Sequence, residues 1–263
     1  MKHPELDLSQ RENHTGVPGN GALAIEMVRV LEADPGLAGT LPAAELERAR
    51  ALAVAPIVHF GRGIHHRLVG DEVTRGHLGL LVLDGLIARH LCFGEIAAPE
   101  LLGPGDLLRP WPRLAATQER TETRWEMLTG TRMAFLNHEF AARIAPWPEL
   151  AAALLDRVAQ RADSQVLLAA LRQARRVDNR LLLALWYLAG RWGAPEGAGR
   201  RLSIQRITGE TLARMVGGRR QSVSTAMGHL ADRGAIRRNR DGTVTIAAPP
   251  PELAPLAVPA ESR

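Results

Sequence analysis

The sequence predicts an α+β chain: an N-terminal antiparallel β domain of jelly-roll type, then one long helix, then a small C-terminal module of short helices and a hairpin. Three observations predict it. Between residues 56 and 136, short apolar runs alternate with Gly, Asp and Pro, as in IVHFGRG, LGLLVLDGLIARHLCFG and ELLGPGDLL. After Pro146 and Pro148 the apolar spacing lengthens to three and four residues and stays there. Positive charge then gathers near the end: from Arg200 to Arg240, ten arginines stand against two acids, Glu210 and Asp232, a local +8 in a chain of +5.

At 263 residues the chain has room for more than one domain. Residues 1–20 are polar and carry acids, with no apolar core of a signal peptide, so they read as a flexible leader. A short helix is expected near residues 22–31. LPAAELERARALA, residues 41–53, reads as a helix with Pro42 in its first turn and Leu46, Ala49, Leu52 and Ala53 on one face. The Asp-Gly and Pro-Gly dipeptides between residues 56 and 136 mark turns between short strands, the pattern of a sandwich or barrel. The expected division is a leader and short helix at 1–40, the β domain at 41–147, a dimerisation helix at 148–176, a DNA-binding module at 177–248 and a loose tail at 249–263.

WPELAAALLDRVAQRADSQVLLAALRQARR places Leu150, Leu154, Val158, Ala162, Gln165 and Ala169 at helical spacing. A helix this long beside a β domain must bury its stripe, and the same helix of a second chain is the economical partner. Those six residues are the expected dimer interface; packing onto its own domain is the rival reading. A second helix follows over residues 178–192, and GAPEGAG, residues 193–199, reads as a loop.

Residues 199–248 read as strand, helix, turn, helix and hairpin. Thr208 suits the N-cap of the first helix, Gly217 and Gly218 the turn, and Gly234 the end of the second helix. RRNRDGTVTI is a hairpin around Asp241 and Gly242. Two helices across a Gly turn followed by a hairpin make a winged helix-turn-helix, whose second helix enters the DNA major groove. The second helix, 219–233, carries Val223, Met227 and Leu230 on one side and Arg219, Arg220, Gln221, Ser222, Ser224 and Thr225 on the other. Arginine bonds guanine in a bidentate way, and the hydroxyl and amide side chains suit phosphates and base edges. Arg237, Arg238 and Arg240 lie where a wing meets the flanking backbone. A solvated arginine-rich surface is the bland alternative.

At these residues the sequence resembles the Crp/Fnr family of bacterial transcription regulators. The family pattern is a Thr-led helix with Leu-Ala, a Val-Gly or Leu-Gly turn, Arg-Glu-x-Val, and a Leu before Gly-x-Ile; here it reads TGETLARMVGGRRQSVSTAMGHLADRGAI. The resemblance runs back through the long helix to LVLDGLIARH and LLGPGDLL, over residues 40–248. It implies a cyclic-nucleotide-binding-like β domain, a homodimer, double-stranded DNA as partner, RNA polymerase as a further one, and the cytoplasm as location. By position Arg220 matches the family's first base-reading arginine. Gln221 stands where a glutamate is common and Thr225 where many members have a second arginine, which changes the expected recognition sequence. In the phosphate cassette Gly105 and Asp106 are kept, but Arg109 and Pro110 replace Gly-Glu. Arg120 and Thr121 fall on the phosphate-binding pair. Half the cassette survives, so the resemblance implies a small anionic effector held by Arg109, Arg120 and Thr121, with a cyclic nucleotide as one candidate among others.

Other classes find less support. The single cysteine, Cys92, excludes an internal disulfide and a cysteine-held cluster built by one chain. Histidines 59, 65, 66, 77 and 90 show no metal-ligand spacing, so no metal and no cofactor are expected. No apolar run approaches membrane-span length; Leu78 to Leu83 ends at Asp84. The alternatives that stay open are a cupin-like metal enzyme with a DNA-binding anchor and a DNA-binding dimer that takes no effector; the leading reading is not an enzyme.

Overall fold

The computed structural model describes residues 26–69, 76–93, 96–110, 121–203 and 207–253. The chain enters as strand β1 (Met27–Arg29), then α1 (Val30–Ala33), α2 (Pro35–Ala38) and α3 (Ala43–Leu52). Of the helix expected near 22–31, residues 22–25 lie outside the described residues and the rest is a strand and the start of one helical turn. Met27, Val28 and Arg29 pair with Pro56, Ala55 and Val54, and that sheet edge satisfies backbone groups which a single helical turn leaves open. Val30, Leu31 and Leu37 are buried in the same core as α3.

The strands β2 (Val54–Phe60), β3 (Gly63–His65), β4 (Gly79–Asp84), β5 (Ile87–Phe93), β6 (Ile96–Leu102), β7 (Leu107–Leu108), β8 (Thr121–Met127) and β9 (Thr131–Leu136) form two antiparallel sheets. One runs β1-β2-β9-β4-β7 and the other β3-β8-β5-β6. Side chains alternate across each strand, and this sorts them. Leu80 and Val82 of β4 meet Ile87 of β5 and Leu102 of β6 between the sheets, whereas Leu81 faces outward into the helical layer. On the other sheet Ala88 and Leu101 face outward into the core of the C-terminal module.

Helices α4 (His138–Ile144) and α5 (Pro148–Leu171) cover the first sheet. Asn137 caps α4, its side chain accepting from Phe140 N at 2.9 Å. α5 stops at Leu171, short of residue 176, and α6 (Val177–Trp192) follows. The stretch expected as a loop at 193–199 supplies a strand instead, β10 (Ala194–Glu196), which pairs with β11 (Gly199–Ser203). Its Pro and Gly read as a loop because β10 is an edge strand, where a missing N–H costs least. Then come α7 (Gly209–Met215), α8 (Arg220–Asp232), β12 (Ile236–Arg238) and β13 (Thr243–Ile246), closing a sheet ordered β10-β11-β13-β12.

The long helix turns out to have two apolar sides. Leu150 and Leu154 are 2% and 4% exposed within the chain's own core, with Val158 packed beside them. They are therefore not free to face a partner, which corrects the expected dimer stripe at that end. Gln165 is exposed but donates to Glu100 of its own β domain at 3.0 Å. Of the six, only Ala162 and Ala169 lie exposed on an apolar side. They belong to a different stripe, Leu155, Ala159, Ala162, Val166 and Ala169, which repeats at four and three residues and faces outward; Leu155 is 70% exposed and Val166 71%.

Candidate nucleic-acid interface

Thr208 caps α7 as its residue type predicts: its hydroxyl accepts from Thr211 N at 3.0 Å. The chain leaves α7 through Gly217, whose φ of +62 is the left-handed conformation a Gly turn provides. Two arginines from outside α7 finish this end. Arg172, just past α5, donates through Nε to Met215 O at 2.9 Å. Arg180 of α6 donates through Nη1 to Val216 O at 2.9 Å and Gly217 O at 3.1 Å. The last carbonyls of a helix carry its negative pole, so cations belong there. These bonds tie the turn between α7 and α8 to the end of the long helix.

α8 runs Arg220–Asp232, with Arg219 and Arg233 as its flanking residues. Val223, Ala226, Met227 and Leu230 are buried against α6 and α7. Arg219, Arg220, Gln221, Ser224 and Thr225 are exposed and Ser222 is half-buried, so one side of the helix is anchored and the other stands open. An open groove of about 430 Å³ separates Gln221, Ser222 and Thr225 from Arg176 and Asp178 at the start of α6. Asp178 holds Arg176 through two bonds of 3.2 and 2.9 Å, and that partner keeps its carboxyl below the usual range.

The hairpin after α8 is fixed by its own polar side chains. Gly242 turns the chain with φ +74. Asn239 donates to Thr243 Oγ1 and Thr245 Oγ1 at 2.8 and 3.0 Å. Asp241 accepts from the Thr243 hydroxyl and amide and from Arg201. Arg237 stays exposed but bonds Glu196 and Asn239, each at 3.2 Å, so its charge is partly spent. By contrast, Arg219, Arg220, Arg238 and Arg240 have no carboxylate partner among the described residues. They stand uncompensated on the helix and hairpin of one module.

The effector residues expected from the β domain are not brought together by what is described. Arg109 is exposed directly after β7. Arg120 lies outside the described residues, and Thr121 opens β8 with its side chain outside them. Gly105 and Asp106 form a tight turn, Gly105 at φ +87. Asp106 is only 3% exposed and accepts from Gly103 N at 2.8 Å and from Arg191 at 2.6 Å. Burial pushes its carboxyl above the usual range, and the Arg191 charge opposes that rise. Among the described residues no group of three His, Cys, Asp or Glu side chains is placed to hold a metal. Nor is any described helix long and apolar enough to cross a membrane.

Sequence reasoning missed the polar seam joining the parts. Glu100 of β6 accepts two bonds from Arg161 of α5, at 2.6 and 2.7 Å, with further bonds from Arg89 and Gln165. Arg191 of α6 reaches Asp106, and the Trp192 indole lies on Gly103, where an added Cβ would come within 2.7 Å of the ring. These partners stand 61 and 85 residues apart, beyond any local pattern.

Residues 179–250 match the Crp-like helix-turn-helix domain family. No curated protein matches the chain. Several solved structures share its fold. A CooA mutant from Carboxydothermus hydrogenoformans is 16% identical, with a TM-score of 0.55, over 83% of this chain and 90% of that one. A cyclic nucleotide-binding domain containing protein from Listeria monocytogenes EGD-e is 14% identical, with a TM-score of 0.55, over 81% and 96%. FixK2 from Bradyrhizobium japonicum is 13% identical, with a TM-score of 0.53, over 73% and 92%.

Proposed function

We propose that this chain, whose residues 179–250 match the Crp-like helix-turn-helix domain family, is a homodimeric, sequence-specific DNA-binding transcription regulator of Crp/Fnr type that works in the cytoplasm. The observation that carries the reading is the composition of α8's two sides: an apolar side locked in the module's core, and an open side with uncompensated arginines and short hydrogen-bonding residues. Arg220 reads a base edge. Arg219, Ser222, Arg238 and Arg240 hold phosphates, with Gln221, Ser224 and Thr225 along the groove floor. Arg237 contributes charge while bracing the hairpin. The reading gives the chain no catalytic role.

Two copies join through the outward stripe of α5, with Leu155, Ala162 and Val166 at its centre. A symmetric dimer presents two α8 helices about one DNA turn apart, ~34 Å, to a palindromic site. Control comes from a small anion taken up by the β domain near Arg109, Arg120 and Thr121, which shifts the population between DNA-competent and incompetent placements of the two modules. RNA polymerase is the further partner of the DNA-bound dimer.

Selection of bound sequences from a random duplex pool tests the reading. The expected product is a palindrome with half-sites one helical turn apart. A pool that stays random at low salt, where phosphate contacts are strongest, would overturn it.

A further inference from the structure

Three parts of the chain enclose one polar cavity. The Pro104, Gly105 and Asp106 turn of the β domain, the middle of α5 and the last turn of α6 surround about 280 Å³, and Arg109 is not in its wall. Three arginines line it, Arg157, Arg161 and Arg191, against a single lining carboxylate. That carboxylate, Asp106, is already spent on Gly103 N and Arg191. Glu100 and Asp34 hold Arg161 and Arg157 from behind, which fixes where the guanidiniums stand.

Donors remain open at this wall. Arg157 uses only Nη2 on Asp34; its Nη1 lies over Gly105, 3.0 Å from where a side chain would begin. The Tyr187 oxygen accepts from Arg191 at 3.4 Å and keeps its own O–H. Trp192 Nε1 is buried against Gly103 and does not face the cavity; the residue contributes its ring. A wall rich in donors and poor in acceptors calls for a ligand rich in acceptors. Arginine forks match phosphate and carboxylate oxygens, and three of them against one spent carboxylate favour the more highly charged phosphate monoester. The volume exceeds that of one phosphate group and approaches the lower end for small-molecule sites, ~300 Å³. Arg191 lies 4.6 Å from the Trp192 ring and 6.0 Å from the Tyr187 ring, so flat faces border the cationic side.

We propose that the junction cavity lined by Arg157, Arg161, Arg191, Tyr187 and Trp192 binds a small phosphate monoester carrying a planar ring. By bridging the β domain, α5 and α6, the ligand biases where the DNA module sits. The binding stands on the cavity alone; its effect on DNA rests on the regulator reading above.

Calorimetry on the full chain tests it, with phenyl phosphate as probe and inorganic phosphate and benzoate as its two halves. The expected result is one phenyl phosphate per chain, bound at least about tenfold tighter than either half. Arg157→Ala removes charge-assisted bonds and weakens binding by about tenfold or more. Ser164→Leu fills the cavity from the surface of α5, touches no ion pair, and abolishes binding in a chain that still unfolds cooperatively. Titrating in the presence of the selected duplex changes the phenyl phosphate affinity at least about threefold, and duplex affinity changes by the same factor. No heat with phenyl phosphate, benzoate binding as tightly, or indifference to both substitutions would each overturn the site. An unchanged affinity with duplex present would overturn the coupling. A chain that binds its duplex but not phenyl phosphate loses only this inference. A chain that binds phenyl phosphate but no duplex loses the regulator reading and keeps the site.

Discussion

Replacing Leu155 by aspartate is expected to separate the proposed dimer without unfolding the chain. Full burial of a leucine side chain contributes ~1.5–3 kcal/mol. Leu155 is 70% exposed in the single chain, so about two thirds of that gain waits on a partner, ~1–2 kcal/mol per copy. The symmetric pair then supplies ~2–4 kcal/mol, and loss of it weakens the dimer by about 30- to 1,000-fold at 1.4 kcal/mol per tenfold. Two facing carboxylates add repulsion on top. Leu150→Ala is the matched control, since Leu150 is 2% exposed in its own core. That change opens a cavity costing ~2–5 kcal/mol of folding stability, lowers Tm, and leaves the dimer constant unchanged. Sedimentation equilibrium reads the first effect and thermal unfolding the second. A Leu155→Asp chain that stays dimeric at wild-type concentrations, or a Leu150→Ala chain that dissociates, would show that the partner sits on the other side of α5.

The recognition face makes a second contrast. Arg220→Ala is expected to relax preference at one symmetric pair of bases, by ~1–3 kcal/mol, whereas Arg238→Ala weakens all duplexes alike and lowers the salt slope by about 1; equal losses on selected and random duplex for both variants would refute the division. Arg172→Ala leaves the last carbonyls of α7 short of a cation, with an expected stability loss of ~1.5–3 kcal/mol, and Arg172→Lys restores it only in part because one ammonium cannot reproduce the fork. The Asp241 carboxyl is held down to about 2 from 3.8, chiefly by the Thr243 hydroxyl, then the Thr243 amide, with Arg201 adding to it. A depressed acid stabilises the hairpin fully above 3.8 and loses that contribution as pH falls through about 2. Asp241→Asn should therefore flatten the acid limb of hairpin protection, read by amide exchange as a function of pH.

What the sequence made legible is what depends on neighbours in the chain. Thr208 capping, the Gly217 turn, the Gly234 stop at φ +69 and the Asp241 hairpin are each set within a few residues. So is the split of α8 into buried Val223, Met227 and Leu230 and exposed Arg219 and Arg220. The outward stripe proposed for the dimer was not legible, because α5 is apolar on two sides. Spacing finds both stripes, but only the packed β domain decides that Leu150 and Leu154 go inward and Leu155 and Val166 outward. The strand at Met27 and the edge strand at Ala194 were hidden for a related reason: a paired edge overrides weak local preference.

The long-range bonds say how an event in the β domain can reach α8. Turning a two-state equilibrium from 1:99 to 99:1 takes ~5.5 kcal/mol of differential binding. Removing one partner of a buried ion pair costs ~3–5 kcal/mol, and a charged donor on a carbonyl contributes ~1.5–3 kcal/mol. Arg191 on Asp106 and Arg161 on Glu100 hold α6 and α5 to the β domain, while Arg172 and Arg180 hold the α7–α8 turn to α5 and α6. Leaving one such ion pair partnerless and losing one carbonyl bond is comparable to that switching energy, and exchanging the partner for a ligand changes it by less. The apolar contact of Ala88, Leu101 and Leu128 with the module's core lies along the same seam, so polar and apolar contacts there would be lost together. A ligand that changes the partner of Asp106 or Glu100 therefore acts on the placement of the recognition helix directly, without a relay through the interior of the β sandwich.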